Sequence, residues 1–303
     1  MVATLDRRAP APVRTRRRSP MRRRQARTAF AFLAPALVFF ALLFFYPLAN
    51  EFVTSLFAGA RADEFVGLGN YTRAFGDAQI RHAFAVTLQY GLGALVLSIV
   101  LGLVLAVILN QNLRGRAVFR GILLVPYLTS VAIVGLLWRN ILDPQVGVLN
   151  RVLAAAGLPQ QQWLTDHPLA TLIGITVWQQ TGYVTVLFLA GLQGIPHLYY
   201  EAAAVDGASV WRRFRHVTLP LLAPTTLFVS IIGVISSLQE FALPYLVTGG
   251  GPAGATDLFV FRVYQTSFAF RDFGYASALS YLLLIVILVL SVVQLKVGQR
   301  HAT

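Results

Sequence analysis

The stretch that decides the fold reads IPHLYYEAAAVDGASVWRRFRHVTLP and spans residues 195–220. It is polar, holds three arginines, and separates two long apolar stretches. Each apolar stretch is long enough to cross a bilayer as a helix, because a hydrocarbon core of about 30 Å requires roughly 20 helical residues. The segment is therefore expected to connect two membrane-spanning helices at the membrane surface.

The first half of this segment predicts a short amphipathic helix. Pro196 has no backbone N–H and a preset φ, and both properties suit the first turn of a helix. Leu198, Ala202 and Val205 then fall on one face at i, i+4 and i+7 spacing. Glu201 lies on a different face. The small alanines would let the backbone of another protein approach this helix closely.

The second half predicts a turn followed by another helix. Gly207 can adopt the left-handed conformation that commonly ends helices. Asp206 or Ser209 is then available to cap the next helix. That helix is expected to start near Ala208 and to run toward Pro220. The predicted shape suits docking against another protein, and an ordinary basic loop on the membrane surface is the alternative.

The composition is that of an integral membrane protein. Of the 303 residues, 56% are hydrophobic and 12% are charged, whereas roughly a quarter are charged in soluble domains. The apolar stretches predict an all-α polytopic protein with six spans, at approximately 29–48, 84–109, 118–138, 169–194, 219–247 and 274–295.

The distribution of basic residues predicts the orientation in the membrane. Ten arginines lie in residues 1–28, three in residues 114–120 and three in residues 212–215, and Lys296 and Arg300 follow the last span. If the N-terminus is cytoplasmic, all of these lie inside and seven arginines remain outside. Because positive charge is retained on the cytoplasmic side, both termini and residues 195–220 are predicted to face the cytoplasm.

The net charge of +13 raises the alternative of nucleic-acid binding. The Pro- and Arg-rich residues 1–28 have no apolar periodicity and predict a disordered cytoplasmic tail near anionic headgroups. Residues 29–303 would then form the transmembrane domain. No groove-reading module accompanies the charge, so the expected partner is the lipid bilayer and not a nucleic acid.

Several chemistries are excluded by residue content. The chain has no cysteine, which excludes disulfides, thiolate metal sites and cysteine nucleophiles. Its only lysine, Lys296, follows no glycine-rich loop, so the chain has no phosphate-binding loop of its own for ATP. All five histidines lie at the ends of predicted helices or in loops, where none can act as a buried intramembrane base. No enzymatic activity, cofactor or metal is therefore predicted.

The segment 195–220 resembles the cytoplasmic coupling loop of permease subunits in binding-protein-dependent ABC importers. The residues that carry the resemblance are Glu201-Ala202-Ala203, Gly207 six positions after the glutamate, and Leu219-Pro220. The resemblance implies that these residues, with Asp206, contact a cytoplasmic ATPase and couple its movements to the membrane helices. We call residues 195–220 the coupling loop.

Further motifs narrow the resemblance to the carbohydrate-uptake branch of these permeases, of the maltose, glycerol-3-phosphate and multiple-sugar kind. They occur in the expected order and comprise Phe65-Val66-Gly67-Leu68 with Asn70-Tyr71, Leu189-Ala190-Gly191-Leu192 before Ile195-Pro196, Thr248-Gly249-Gly250-Gly251-Pro252, and Gly274-Tyr275-Ala276-Ser277-Ala278. The resemblance implies a type I ABC importer permease fold with six transmembrane helices. It also implies two different permease subunits, two cytoplasmic ATPase subunits and an extracytoplasmic solute-binding protein.

Polar residues in the middle of the predicted spans are the candidates for the solute path. Trp178, Gln179 and Gln180 lie near the middle of the fourth span. Amide side chains beside an indole ring suit a polyhydroxylated ligand, and interhelical hydrogen bonding is the alternative role for each residue. Glu240 is predicted to lie inside the fifth span, where it must face the bundle interior or water because a carboxylate in lipid costs several kcal/mol.

Three classes of function follow from these patterns. An ABC permease requires an exposed docking loop, which the coupling loop provides. A secondary transporter would require inverted repeats, broken helices and several mid-membrane charges, but the sequence shows no convincing repeat and only Glu240. A membrane anchor would require neither the loop nor the mid-span polar residues. The sequence therefore predicts an ABC permease for a sugar or related polyhydroxylated solute, with glycerol phosphate or nucleoside uptake as the alternative.

Overall fold

The computed structural model describes residues 20–59, 63–111 and 114–300, which are predominantly helical. The chain divides into two units, residues 1–51 and residues 52–303. It begins with helix α1 (Pro20–Phe40), a π-helical turn (Ala41–Phe45) and helix α2 (Tyr46–Ser55). The side chains from residue 28 to residue 50 are exposed in the first unit and largely apolar, as expected for a helix that lipid or another protein surrounds.

The predicted disordered tail, residues 1–28, lies mostly outside the described residues. Its last part is helical from Pro20 onward, which differs from the prediction for residues 20–28. The Arg, Gln and Ala residues there are good helix formers, and they continue directly into the apolar stretch.

The second unit contains one small β-hairpin and the remaining helices. The elements are β1 (Phe57–Ala58), β2 (Glu64–Phe65), α3 (Gly69–Gly76), α4 (Ala78–Leu109), α5 (Arg116–Leu128), α6 (Val131–Ile141), α7 (Val148–Ala155), α8 (Trp163–Asp166), α9 (Pro168–Gln193), α10 (His197–Val205), α11 (Val210–Arg213), α12 (Leu219–Leu221), α13 (Ala223–Leu238), α14 (Phe259–Tyr264) and α15 (Phe273–Arg300). Further π-helical turns are Phe214–Thr218, Pro244–Thr248 and Gln265–Ala269. The two strands pair antiparallel, with Phe57 opposite Phe65.

Within the described part of the chain, four helices are long and apolar enough to cross a membrane. They cover Thr28–Ser55, Ala78–Leu109, Pro168–Gln193 and Phe273–Gly298. Two bent helix pairs meet the same criteria together, which gives six spans if each pair counts as one. The prediction of an all-α polytopic membrane protein is confirmed.

The third predicted span, residues 118–138, is not one straight helix. Helices α5 and α6 meet at an angle of 93°, with the break at Thr129 and Ser130. Pro126 lies in the last turn of α5, where its ring removes a backbone donor and crowds the preceding turn. The bend itself lies three residues beyond this proline, and hydropathy alone does not reveal it.

The fifth predicted span, residues 219–247, is also broken. Its first part belongs to a helical run over Val210–Leu221 that bends by 62° against α13. Helix α13 then ends at Leu238. Pro244 would clash with the carbonyl of Glu240 if the helix continued, which explains why the chain leaves the helix at that point.

The central helices pack closely enough to position the candidate sites. Tyr90 of α4 and Thr176 of α9 are buried and share a hydrogen bond of 2.6 Å. A Cβ atom at Gly182 would clash with the carbonyl oxygen of Leu123, so α5 and α9 touch backbone to backbone at this glycine. Small residues at such crossings are typical of helix pairs in membranes.

Candidate functional site

The coupling loop presents its first helix to the surroundings. Helix α10 begins at His197, directly after Pro196, so the proline precedes the first turn. Leu198 is exposed, and Val205 has an exposed fraction of 89%. On the other side of the helix, the Tyr200 hydroxyl lies 3.1 Å from the Thr218 hydroxyl. The helix is therefore held to its own chain by one side, while its apolar side faces outward.

The turn after α10 has the predicted left-handed geometry. Gly207 has φ +72°, and the space around its missing Cβ is open. The N–H of Ala208 donates to the Ala203 carbonyl at 2.9 Å, and the N–H of Gly207 donates to the Ala204 carbonyl at 3.1 Å. These two bonds form a Schellman motif, which ends α10 sharply and turns the chain toward the next helix.

The predicted second helix of the coupling loop is confirmed. It begins at Val210, and Ser209 is the cap, because its hydroxyl accepts the Arg212 N–H at 3.4 Å. Asp206, the other candidate cap, is instead the residue that ends α10. The helical run continues to α12, which carries Leu219 and Pro220 in exposed positions.

Among the described residues, the charged side chains of the coupling loop form no ion pair. The ion pairs found in the described residues are Arg73–Asp272 and Arg262–Asp257, and both lie elsewhere. Glu201 and Ala202 are exposed, and Ala203 is half-buried. The loop therefore offers an exposed apolar face, small side chains and unpaired charges, which is the chemistry of a surface for another protein.

The structure separates the three polar residues predicted in the fourth span. Trp178 has an exposed fraction of 43% and packs edge to face on Trp138, with ring centroids 5.4 Å apart. It borders an apolar groove of about 650 Å³ between α4, α5 and α9. Gln179 donates to the Thr129 carbonyl at 3.3 Å, where α5 and α6 separate. Gln179 thus makes an interhelical hydrogen bond, the alternative role considered for these residues.

Gln180 lines a different, smaller cavity. This cavity measures about 60 Å³ and is bordered by Leu95, Ser98, Ile99, Tyr127, Gln180, Tyr183, Val184, Val229, Ile232, Gly233, Ser236 and Ser237. The rings of Tyr127 and Tyr183 stack with centroids 4.4 Å apart and planes 7° apart. The Ser98 hydroxyl is buried without a hydrogen-bond partner. The cavity therefore combines an amide, hydroxyls and an aromatic pair.

Sequence reasoning missed most of the polar residues of this cavity. Ser98, Tyr127 and Tyr183 come from three different helices, so no local pattern groups them. The adjacent pair Ser236 and Ser237, at the end of a largely apolar helix, is the available signal. Unpaired hydroxyls are costly in a membrane bundle, and a serine pair in a span suggests a polar neighbour.

Glu240 lies in the break after α13, and the prediction that it lies inside a helix is wrong. Its carboxylate accepts the backbone N–H of Leu243 at 3.0 Å. It therefore caps the short helical segment that leads into the π-helical turn Pro244–Thr248. This role satisfies part of the carboxylate's hydrogen-bonding capacity, and no basic side chain in the described part of the chain pairs with it.

Residues 249–272 lead into α15 and include the short helix α14. We call this segment the glycine-rich loop, and many polar contacts hold it in place. Thr256 is fully buried, and its hydroxyl lies 2.7 Å from that of Thr248. The backbone N–H of Phe259 donates to the Thr87 hydroxyl of α4 at 2.7 Å. The loop is thereby attached to the core of its own unit.

A buried ion pair completes this attachment. Asp257 accepts two hydrogen bonds from the Arg262 guanidinium, with exposed side-chain fractions of 3% and 17%. Burial raises the pKa of the Asp257 carboxyl, and the charges of Arg262 and His82 oppose that shift. His82 of α4 also contacts the Gly254 carbonyl at 3.1 Å. The loop and α4 are thus joined by charged as well as neutral contacts.

A polytopic helical bundle with an exposed helix–glycine–helix loop defines a class of proteins, the membrane transport permeases. Residues 98–301 match the family model described as binding-protein-dependent transport system inner membrane component. The chain belongs to this family, whose members are transport permeases.

Similar proteins cover nearly the whole chain. The trehalose/maltose transport system permease protein MalF of Thermococcus litoralis is 34% identical over 93% of this chain and 97% of its own length. The sn-glycerol-3-phosphate transport system permease protein UgpA of Agrobacterium fabrum is 30% identical over 90% of this chain and 94% of its own length. A chain of a bacterial alginate ABC transporter crystal structure matches with a TM-score of 0.79 and 22% identity, covering 91% of this chain and 96% of that one. The fold is that of a type I ABC importer permease.

Proposed function

We propose that this chain is one of two different permease subunits of an ABC importer, and that its coupling loop docks on a separate cytoplasmic ATPase. The single observation that carries this proposal is the coupling loop. Its first helix ends in a Schellman turn at Gly207, exposes Leu198 and Val205, and leaves Glu201 without an ion-pair partner among the residues that the structure describes. Both termini and this loop would face the cytoplasm, and an extracytoplasmic binding protein would deliver the solute.

We further propose that the solute is a sugar or a related polyhydroxylated molecule and that Gln180 contacts it. The cavity at Gln180 supports this choice, since it offers an amide, serine hydroxyls and the stacked rings of Tyr127 and Tyr183. Sugar hydroxyls both donate and accept hydrogen bonds, and their C–H faces pack on aromatic rings. At about 60 Å³ in the structure, the cavity must widen during transport to admit a sugar ring.

The proposal gives smaller roles to the other candidate residues of the solute path, which are Trp178, Gln179 and Glu240. Trp178 and Gln179 lie at the α5–α6 break, where they would control how that break moves. Glu240 caps the segment beyond α13, near the mouth of the path. Glycerol phosphate is the second candidate solute, because a relative of 30% identity is named for its transport.

The test compares two neighbouring amides in cells that depend on this chain for uptake of radiolabelled maltose, trehalose or glycerol 3-phosphate. Gln180→Leu should reduce uptake about two- to tenfold, because a lost hydrogen bond contributes about 0.5–1.5 kcal/mol. Gln179→Leu is the matched control and should lower the thermal stability of the purified protein instead, because it removes the bond to Thr129.

Full uptake in the Gln180→Leu variant would contradict contact between Gln180 and the solute. Unchanged uptake of all three solutes in cells that lack the chain would contradict the proposed solute class. Association of the ATPase with this chain is measured in membrane fractions from the same cells. This measurement tests the coupling role separately from the choice of solute.

A further inference from the structure

A continuous series of aromatic rings follows the break after α13. The rings belong to Phe241, Tyr245, Phe261, Tyr264, Phe268 and Phe273, and we call them the aromatic ladder. Successive centroids are 5.1 Å apart from Phe241 to Tyr245, 5.4 Å from Tyr245 to Tyr264, and 5.0 Å from Tyr264 to Phe268. Phe273 continues the series at 6.3 Å from Phe268.

Most of the aromatic ladder is open on one side. Phe261 is buried and supports the series from behind. Tyr245 is 46% exposed and Phe268 is 65% exposed, and Phe273 is exposed as well. A set of rings that served only as core packing would be buried on both faces. The open faces are therefore accessible to another molecule.

The aromatic ladder begins shortly after α13, a helix that contributes to the lining of the cavity at Gln180. Ser236 and Ser237 line that cavity, and Phe241 follows Ser237 by four residues, directly after the helix break. The other end of the series, at Phe268 and Phe273, lies where the glycine-rich loop enters α15. The series thus runs from Phe241, just after the end of α13, to Phe273, the first residue of α15.

The chemistry of this surface fits a neutral sugar ring. Aromatic faces pack against the C–H surface of a sugar, and the two tyrosine hydroxyls of Tyr245 and Tyr264 can exchange hydrogen bonds with its hydroxyls. Neither the aromatic ladder nor the cavity lining contains a lysine or arginine. Arg262, next to Phe261 in the chain, is held by Asp257. A phosphate group would therefore find no free cation among these described residues, although charged groups bind phosphate best.

We propose that the aromatic ladder is a stacking track along which the ring of a neutral sugar passes from Phe273, at the start of α15, toward the cavity at Gln180. The inference rests on the proposed import function and narrows its solute to ring-bearing sugars over glycerol phosphate. Lipid or the second permease subunit could cover the same rings, and the experiment is designed to separate these occupants.

The test uses the complete transporter in proteoliposomes with its binding protein at saturation, and radiolabelled maltose and trehalose as probes. Tyr245→Leu and Phe268→Leu should each reduce the uptake rate about three- to tenfold, the size of effect that one lost aromatic contact gives. Tyr245→Phe and Phe268→Tyr should restore most of the rate, because they keep a ring in place. Phe75→Leu is the matched control, since Phe75 is 71% exposed but lies on α3 outside the series. It should leave the rate unchanged.

Two other readouts decide between the occupants. If the rings contact lipid or the second permease subunit, the leucine variants should lower the unfolding temperature or the recovery of the assembled complex. Uptake would then fall only in proportion to the loss of assembled complex, and this result would contradict the proposed sugar track. Sugar uptake that persists at the native rate in both leucine variants would overturn the track and leave the proposed function intact. Uptake of glycerol 3-phosphate but of neither sugar by the native transporter would overturn the track and the sugar assignment, while the role as an ABC permease would stand.

Discussion

The coupling loop and the glycine-rich loop both connect long helices, but they satisfy their side chains in different ways. In the coupling loop, Val205 is exposed and the charged side chains find no ion-pair partner in the described chain. In the glycine-rich loop, Thr256 is fully buried and Asp257 is paired with Arg262. Contacts within its own unit stabilise the glycine-rich loop, whereas the coupling loop leaves its apolar and charged side chains exposed to another protein.

This difference indicates where each loop acts. A loop attached through buried hydrogen bonds and an ion pair keeps its shape when the chain is alone, because opening it would expose unpaired polar groups. A loop with exposed apolar residues gains burial only when a second protein covers it. Substitutions of the buried polar residues of the glycine-rich loop, Thr256 and Asp257, should therefore affect the stability of the chain, and substitutions in the coupling loop should affect association and transport.

The substitution Asp257→Ala is expected to have the largest effect, which is a loss of stability of the folded chain. This change leaves the Arg262 guanidinium buried without its partner, which costs about 3–5 kcal/mol. Asp257→Asn should cost less, because the amide oxygen still accepts a hydrogen bond from Arg262. The measurement is thermal unfolding of the purified protein in detergent. Asp272→Ala is the control, since the Arg73–Asp272 pair is more exposed and should contribute about 1 kcal/mol or less. The same variant also loses the hydrogen bond from the Tyr275 N–H that caps α15, which adds about 1 kcal/mol, so its total cost should stay below that of Asp257→Ala.

An equal loss of stability in the Asp257→Ala and Asp272→Ala variants would remove the contrast between buried and exposed attachment. A loss of ATPase association in the Asp257→Ala variant at temperatures where it stays folded would also contradict the separation of roles between the two loops.

The substitution Gly207→Val is expected to have the next largest effect, which is a loss of transport. A β-branched residue at φ +72° introduces about 1–2 kcal/mol of backbone strain and should distort the turn after α10. Uptake and co-purification of the ATPase should fall about tenfold, and Glu201→Ala should weaken both to a smaller degree. Gly115→Val is the matched control, because Gly115 has φ +81° and equally open surroundings but lies before α5.

If Gly115→Val reduces ATPase association as much as Gly207→Val does, the strain itself and not the docking surface explains the result. Unchanged uptake and association in both the Glu201→Ala and the Gly207→Val variants would refute the proposed coupling role.

The smallest perturbation tests the sidedness of the two loops. The chain contains no cysteine, so single cysteines at the exposed positions Ala202 and Ala253 can be labelled selectively. Surface changes of this kind usually alter stability by less than about 0.5 kcal/mol. In intact cells, a membrane-impermeant thiol reagent should label the cysteine at 253 and not the one at 202. The reverse pattern would place the coupling loop outside and exclude ATPase docking there.

Local features of the sequence predicted local features of the structure. Gly207 ends α10 because a left-handed φ is a property of single residues, and Ser209 caps the next helix through an atom three residues away. The apolar stretches became helices because each satisfies its backbone hydrogen bonds internally. The break near Glu240 also has a local cause in Pro244, but averaging hydropathy over a whole span conceals a single proline.

Only the tertiary structure decided which polar residues meet. Adjacent Gln179 and Gln180 have the same side chain, yet one bonds the Thr129 carbonyl and the other lines a cavity with Tyr127 and Tyr183. Successive residues of a helix point about 100° apart, so their neighbours depend on which helices pack around them. The composition and motifs therefore determined a polytopic permease with an exposed coupling loop. The packing of distant helices determined its cavity, its buried ion pair and its aromatic ladder, because those contacts join residues that no local pattern relates.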